Sequence, residues 1–313
     1  MRGEPAVSAL RKSSSRRPPR PLPRAMGITR PPTQQADFPG AVMSLQKYLA
    51  AGLGPRVLTG IILLAVVFTA WKAGGFPLFL LLLAVCCAGQ WELYSLFLPN
   101  AELAAKLFGV LLGAGLVAQC RFLPEYSAGL ALTASFALLA VHSLAGWTQE
   151  TALARFRRAA ILLGGIVYVP LLLSPALHYS PGEQLLVVAV PALSDIAAYA
   201  AGVQFGRRRI WPSVSPKKSV EGAAAGLLAA VAACIAAGWL LRGSAFSFPA
   251  WAGLGLFMGV MAQLGDFFES ALKRAVHIKD SGKILPGHGG VLDRIDSVLF
   301  ASAAFTLSRP FLG

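Results

Sequence analysis

Residues 221–241 read EGAAAGLLAAVAACIAAGWLL, so that twenty positions pass between Glu221 and Arg242 without a charge or a proline. A helix of that length crosses the roughly 30 Å hydrocarbon layer of a bilayer. A helix on the surface of a soluble domain would instead show a polar face. Reading outward from this run, eight more stretches suit crossing helices, at approximately 56–72, 76–98, 104–120, 126–147, 159–179, 185–204, 248–268 and 291–311. Glu92, Pro99 and Glu102 interrupt the second and third. Short alternating strands are lacking, which argues against a closed barrel. Composition agrees. Of 313 residues 56% are hydrophobic and 13% charged, with mean hydropathy +0.62, where a soluble domain is about a quarter charged. An ordinary soluble globule and a wholly disordered chain are both excluded. The expected fold is all-α and polytopic, with about nine transmembrane helices.

The 28 Lys and Arg against 14 Asp and Glu leave a formal charge of +14, which points to anionic headgroups or phosphorylated ligands once the charges are located. Residues 1–47 are rich in Pro, Arg and Ser and hold nine of the basic residues with only Glu4 and Asp37 against them. This segment reads as a disordered tail, a targeting segment, or sequence ahead of a true start at Met26 or Met43. With the N-terminus on the cytoplasmic side, 24 of the 28 basic residues fall on inner segments, and only Lys72, Arg121, Arg242 and Arg309 fall outside. That segregation is the positive-inside bias of a bilayer-spanning chain. Cys86, Cys87, Cys120 and Cys234 lie in apolar stretches without zinc-ligand spacing and read as packing residues.

The acids locate the chemistry. Five of the six aspartates, Asp195, Asp266, Asp280, Asp293 and Asp296, lie in the C-terminal two fifths, and acids in or beside membrane helices usually face a polar cavity and carry function. The expected organisation is N-terminal helices over 48–184 and a working region over 185–313, with inner loops at 205–220 and 269–290. Asp266, Glu269, Ser270 and Lys273 stand at i, i+3, i+4 and i+7, one helical face, and Asp293 and Asp296 form a second i, i+3 pair. Carboxylates converging from two helices beside cations suit a hard divalent ion with water and substrate phosphate. Any single acid could equally serve an ion pair with Lys273, Arg274 or Arg294.

Two inner loops complete the pattern. Lys279 to Gly290 is basic and then glycine-rich, ahead of a helix start, where backbone N–H groups and the helix dipole attract phosphate. Arg207 to Glu221 carries Ser215-Pro216-Lys217-Lys218, a fixed backbone followed by two cations, suited to a polyphosphate. Arg207 to Arg209 are accounted for by the positive-inside charge alone. Asp195, with Ser194 and Tyr199, makes a polar spot within the sixth helix that could bind metal, nucleotide or another helix.

The run from Ser270-Ala271-Leu272-Lys273-Arg274 through Lys279-Asp280 to His288-Gly289-Gly290-Val291-Leu292-Asp293-Arg294-Ile295-Asp296 resembles the signature of the phosphatidate cytidylyltransferases, or CDP-diacylglycerol synthases. Ser215-Pro216-Lys217-Lys218 with Glu221-Gly222, and Asp195 with Ala198-Tyr199, are similar to that family's upstream motifs. Ser194 stands where Asn is common and Ser219 where Thr is common. The resemblance covers about residues 194–296. It implies the reaction of CTP with phosphatidate to CDP-diacylglycerol and pyrophosphate, with Mg²⁺ or Mn²⁺ required and K⁺ as a second ion. On that reading Asp266, Asp293, Asp296 and Glu269 hold the metal. Lys217, Lys218, Lys273, Arg274, Lys279 and Arg294 hold the phosphates, and Asp195, Ser215 and Glu221 contribute to substrate binding. Gly287, His288, Gly289 and Gly290 shape the phosphate pocket, although His288 is as well placed to serve a loop hydrogen bond. Asp280 binds metal or nucleotide or else orients a neighbouring lysine. The Ala-rich, Arg-rich composition and lack of an evident cleavable signal fit a bacterial inner membrane, with an organellar membrane as the alternative and the bilayer as solvent. The inner loops put the expected active site on the cytoplasmic side, no nucleic acid partner is expected, and the resemblance implies a homodimer as a compatible state. Two other readings use the same raw material: another CTP-dependent lipid enzyme, such as a polyprenol kinase or an isoprenoid-lipid cytidylyltransferase, and a secondary transporter.

Overall fold

In a computed structural model the chain is described over residues 54–125, 128–145, 147–243, 246–282, 284–285 and 289–312. The tail at 1–47 and Lys283, Gly287 and His288 lie outside the described residues. Nine α-helices occur among those described: α1 Gly54–Ala73, α2 Gly75–Phe97, α3 Leu103–Phe122, α4 Ala128–Leu144, α5 Ala152–Ile166, α6 Pro181–Phe205, α7 Val220–Arg242, α8 Phe248–Ala275 and α9 Leu292–Ser308. The described residues form no strand beyond two isolated bridges, Arg209 with Ser219 and Leu285 with Gly289.

Among the described residues six segments are long and apolar enough to cross a membrane: α2, α3 with its preceding turn, the Ala152–His178 segment, α6, α7 and α8. The chain is therefore a multi-pass membrane protein. Thr59–Ala73 of α1 and α4 are shorter apolar helices, and α9 has 17 residues. Large apolar side chains such as Leu64, Leu153, Leu228 and Leu240 stand exposed, as a surface solvated by lipid allows.

The helices depart from the hydropathy pattern where prolines or polar ends intervene. The apolar run at 159–179 is not one α-helix. After α5 the chain makes a π-helical turn at Val167–Leu171 and a 3-10 turn at Ser174–His178. Pro170 lies inside the first and removes an N–H donor from the ladder. At the other extreme α8 runs on to Ala275, well past the apolar run that ends near 268. Its polar last turns stay helical because Lys273 is held there by Glu269, one turn back. Ser180 starts α6 with a capping box, accepting the Glu183 N–H at 3.4 Å while the Ser180 N–H donates to Glu183 Oε2 at 2.8 Å.

Packing explains the site's position. α6, α7, α8 and α9 share a core that includes Val190, Cys234, Trp251, Met258 and Phe305. A second core joins α2, through Phe79, Cys86 and Leu93, to Tyr168 and Val169 of the π-helical turn and to Leu292 and Leu299 of α9. A third gathers α2, α3, α4 and α5 around Tyr94, Leu116, Leu139 and Leu162. At Gly265 of α8 an added Cβ would lie 2.5 Å from the Asp296 carbonyl oxygen, so glycine there sets how closely α8 approaches α9. The C-terminal ends of α6 and α8 and the N-terminal ends of α7 and α9 consequently meet at one end of the bundle.

Candidate active site

A cleft of about 570 Å³ lies between the end of α6, the Arg207–Ser219 loop, the start of α7 and the last third of α8. Ser219 begins α7, its hydroxyl accepting the Gly222 N–H at 3.2 Å, and this cap fixes the direction in which Lys217 and Lys218 enter the cleft. Lys218 Nζ lies 2.5 Å from Asp266 Oδ2 and 4.6 Å from the Phe267 ring centre, and the Phe267 ring makes a T-shaped contact with Trp211. Arg209 donates to the Lys217 carbonyl at 2.5 Å. Asp195 faces the same cleft from α6, which Asp266 also lines from α8. The rim is apolar: Tyr199 and Val203 of α6 are 76% and 69% exposed.

Two turns beyond Asp266 along α8, Lys273 pairs with both Glu269, within its own helix, and Asp293 of α9, at 2.8 Å from Oδ1. Asp293 also accepts the Ser281 N–H, 3.1 Å from each carboxylate oxygen, and the Gly290 N–H at 2.9 Å. This carboxylate thus ties together both ends of the glycine-rich loop. Gly289 takes a positive φ of 81°, open to glycine at little cost, and its carbonyl accepts the Leu285 N–H at 3.0 Å. Asp296 Oδ1 accepts the Ser297 N–H at 2.7 Å, and the Ser270 hydroxyl reaches Asp266 Oδ1 at 3.4 Å, as their i, i+4 spacing requires.

The residues expected to act together form two adjoining groups. Asp195, Lys217, Lys218 and Asp266 line the cleft, whereas Glu269, Lys273 and Asp293 form the ion triad beside it. Arg274 donates to the Val214 carbonyl at 3.4 Å and the Ile278 carbonyl at 3.0 Å, joining the two inner loops. Glu221 points into its own loop, where Oε2 accepts the N–H groups of Arg207 and Arg208 at 3.0 and 3.3 Å. Ser215 is half-buried in that loop, Lys279 and Asp280 are exposed and make no ion pair with each other, and Arg294 is exposed on the first turn of α9.

Arg209, accounted for as topological charge, lines the cleft, as does Gln263, which donates to the Ala223 carbonyl at 2.9 Å. Glu92 was legible only as an interruption of an apolar run, yet its carboxylate accepts the Leu292 N–H at the start of α9. A buried acid in an otherwise apolar helix was the available signal.

Hard carboxylate oxygens suit a divalent ion, and Glu269 Oε1 is buried without a hydrogen-bond partner. Among the described residues, however, no three His, Cys, Asp or Glu side chains converge on a single point. Lys218 and Lys273 occupy the carboxylates instead.

Fold and site together define a polytopic helical membrane protein with a cleft of paired cations and carboxylates at one end of its bundle. Residues 54–310 match the cytidylyltransferase family, and the chain belongs to that family. It is 39% identical over 155 residues to the phosphatidate cytidylyltransferase of Thermotoga maritima, covering 47% of this chain and 57% of that protein. Over 108 residues it is 48% identical to the phosphatidate cytidylyltransferase of Bacillus subtilis, covering 34% and 39%. A longer match, 34% identical over 247 residues and 78% and 71% of the two chains, is to the uncharacterized protein YnbB of Escherichia coli. The matches to the two named enzymes thus take in little more than half of each at most.

Proposed function

We propose that this protein transfers a cytidylyl group from CTP to phosphatidate, giving CDP-diacylglycerol and pyrophosphate, at the cytoplasmic face of a bacterial inner membrane. The observation that carries this reading is the cleft in which Lys217, Lys218 and Arg209 stand opposite Asp195 and Asp266 beneath an apolar rim. Cations suit the phosphates of both substrates, and the exposed Tyr199 and Val203 suit acyl chains that stay in lipid.

The phosphatidate phosphate is the nucleophile. One of its oxygens forms a bond to the α-phosphorus of CTP as the bond from that phosphorus to the bridging β-phosphate oxygen breaks, and pyrophosphate leaves with the electron pair. The nucleophile is already anionic near neutral pH, so no strong general base is required. Catalysis then rests on in-line positioning and charge neutralisation. Lys217 and Lys218 bind the phosphates of the nucleotide, and Lys273, steadied by Glu269 and Asp293, faces the charge that develops on the departing pyrophosphate. Asp293 keeps the Ser281 and Gly290 ends of the loop in place around those phosphates. Asp266 and Asp296 would hold Mg²⁺ or Mn²⁺ together with water and substrate phosphate, while Glu269 and Asp293 stay paired with Lys273. The bound ion would supply further neutralisation of phosphate charge, with K⁺ as a second ion.

The test is incubation of the purified protein in detergent with radiolabelled CTP, phosphatidate and Mg²⁺, beside an Asp293→Ala control. Label in the lipid phase with equimolar pyrophosphate, absent in the control, is the expected result. CDP released with a newly phosphorylated lipid would identify a kinase instead.

A further inference from the structure

Glu92 lies on α2, outside the stretch that carries the cytidylyltransferase motifs, and is 2% exposed. Placing a carboxylate in a 23-residue apolar helix is unfavourable unless it is satisfied by partners. Its partners belong to the glycine-rich loop, about two hundred residues away in sequence. Glu92 Oε2 accepts the Leu292 N–H at 2.8 Å and the Ser281 hydroxyl at 3.3 Å. A Cβ at Gly290 would lie 2.6 Å from the same oxygen, and one at Gly282 would strike Oε1. The loop's two ends therefore close on this carboxylate, Oε2 taking the Ser281 hydroxyl and the Leu292 N–H and Oε1 lying against Gly282 without a hydrogen-bond partner.

Asp293 grips the same two ends from the other side, through the N–H groups of Ser281 and Gly290. Ser281 is shared, its N–H held by Asp293 and its hydroxyl by Glu92. Leu292, held by Glu92, is the residue immediately before Asp293. We infer that Glu92 is a positioning residue: a fixed strut from the N-terminal half that sets the place of Asp293, and through it of Lys273, relative to the reacting phosphates. Its two anchored groups are the N–H at the start of α9 and the hydroxyl of Ser281 in the loop. Without it, the Ser281–Leu292 segment keeps its covalent ends but loses one of the two carboxylates that define its path. The small volume at Gly282 and Gly290 follows from the same contact.

This inference rests on the proposed reaction for its kinetic arm but not for its structural one. In Glu92→Ala, amide hydrogen exchange of the full-length protein in detergent is expected to quicken across 279–292 while the middle of α8 is unchanged. The kcat is expected to fall at least 30-fold, with KM for CTP within about threefold, because positioning acts on the step and not on the cations of the cleft. Glu92→Gln, which retains an oxygen for the Leu292 N–H, is expected to recover most of the kcat. Ser281→Ala, which removes only the shared hydroxyl, should show a smaller change of the same kind, and it carries the test should Glu92→Ala not fold. Unchanged exchange in 279–292 would overturn the strut. Quickened exchange with wild-type kcat would overturn the positioning role. Failure of the wild-type protein to use phosphatidate would count against the proposed reaction, with the exchange experiment still deciding the strut.

Discussion

Lys273 and Lys218 each meet carboxylates, but in surroundings that separate their roles. The Lys273 side chain is 14% exposed and that of Glu269 2%, so Lys273→Met leaves a buried acid uncompensated. Breaking such a pair costs about 3–5 kcal/mol. The variant should melt at markedly lower temperature in detergent as well as lose activity. Lys218 and Asp266 are 28% and 26% exposed, where an ion pair contributes roughly 0–1 kcal/mol to stability. Lys218→Met should therefore melt close to wild type. Its KM for CTP should rise on the order of tenfold or more, the worth of about 1.5–3 kcal/mol for a hydrogen bond to a charged group. Asp293→Ala should lower kcat by about 10²–10³-fold, as the loss of a preorganised charge contact does, with the far-ultraviolet circular dichroism of a helical protein preserved. Initial rates over a CTP series distinguish the last two variants.

At the level of helices, the close approach of α8 to α9 is the most exposed to test. Gly265→Ala puts a methyl against the Asp296 carbonyl, which is backbone and cannot rotate away. Overpacking of this kind costs about 1–3 kcal/mol, so the melting temperature should fall, and with Asp266 next in sequence the rate should fall with it. Much of this helix pair was readable beforehand. The 3.6-residue period alone set Asp266, Glu269, Ser270 and Lys273 on one face, and the structure joins Ser270 to Asp266 and Lys273 to Glu269. Local pattern could not show that Asp266 turns to Lys218 while Lys273 reaches across to Asp293, since that depends on how α7, α8 and α9 cross. Nor could it show that Glu92 meets Leu292, a contact between distant parts of the chain. Hydropathy likewise passed smoothly over Pro170, because a window average registers apolar content and not the missing N–H that turns the backbone into a π-helical turn.

For the whole molecule, the expectation concerns sidedness. Loops at Thr148 and Ser213 lie at helix ends that alternate with the end bearing Glu125, after the 20-residue α3, about 30 Å long. Cys86, Cys120 and Cys234 are buried and Cys87 half-buried, so introduced thiols should dominate labelling. Thr148→Cys and Ser213→Cys should react with a membrane-impermeant maleimide only in inside-out vesicles, and Glu125→Cys only in right-side-out ones. Labelling of Thr148→Cys and Ser213→Cys from opposite sides would contradict the helix count between them.

The ion pairs of the site bear on which nucleotides it can tell apart. Lys218 and Lys273 are already neutralised by internal carboxylates, so an incoming anion must compete with a resident counter-ion. A ligand with a single phosphate offers each lysine little more than it already has. A triphosphate brings enough negative charge to compete with Asp266 for the half-exposed Lys218, while Lys273 keeps its buried partners Glu269 and Asp293. On the proposed reaction the resting pair at Lys218 would act as a threshold, favouring CTP over the far less charged CMP before any contact with the base.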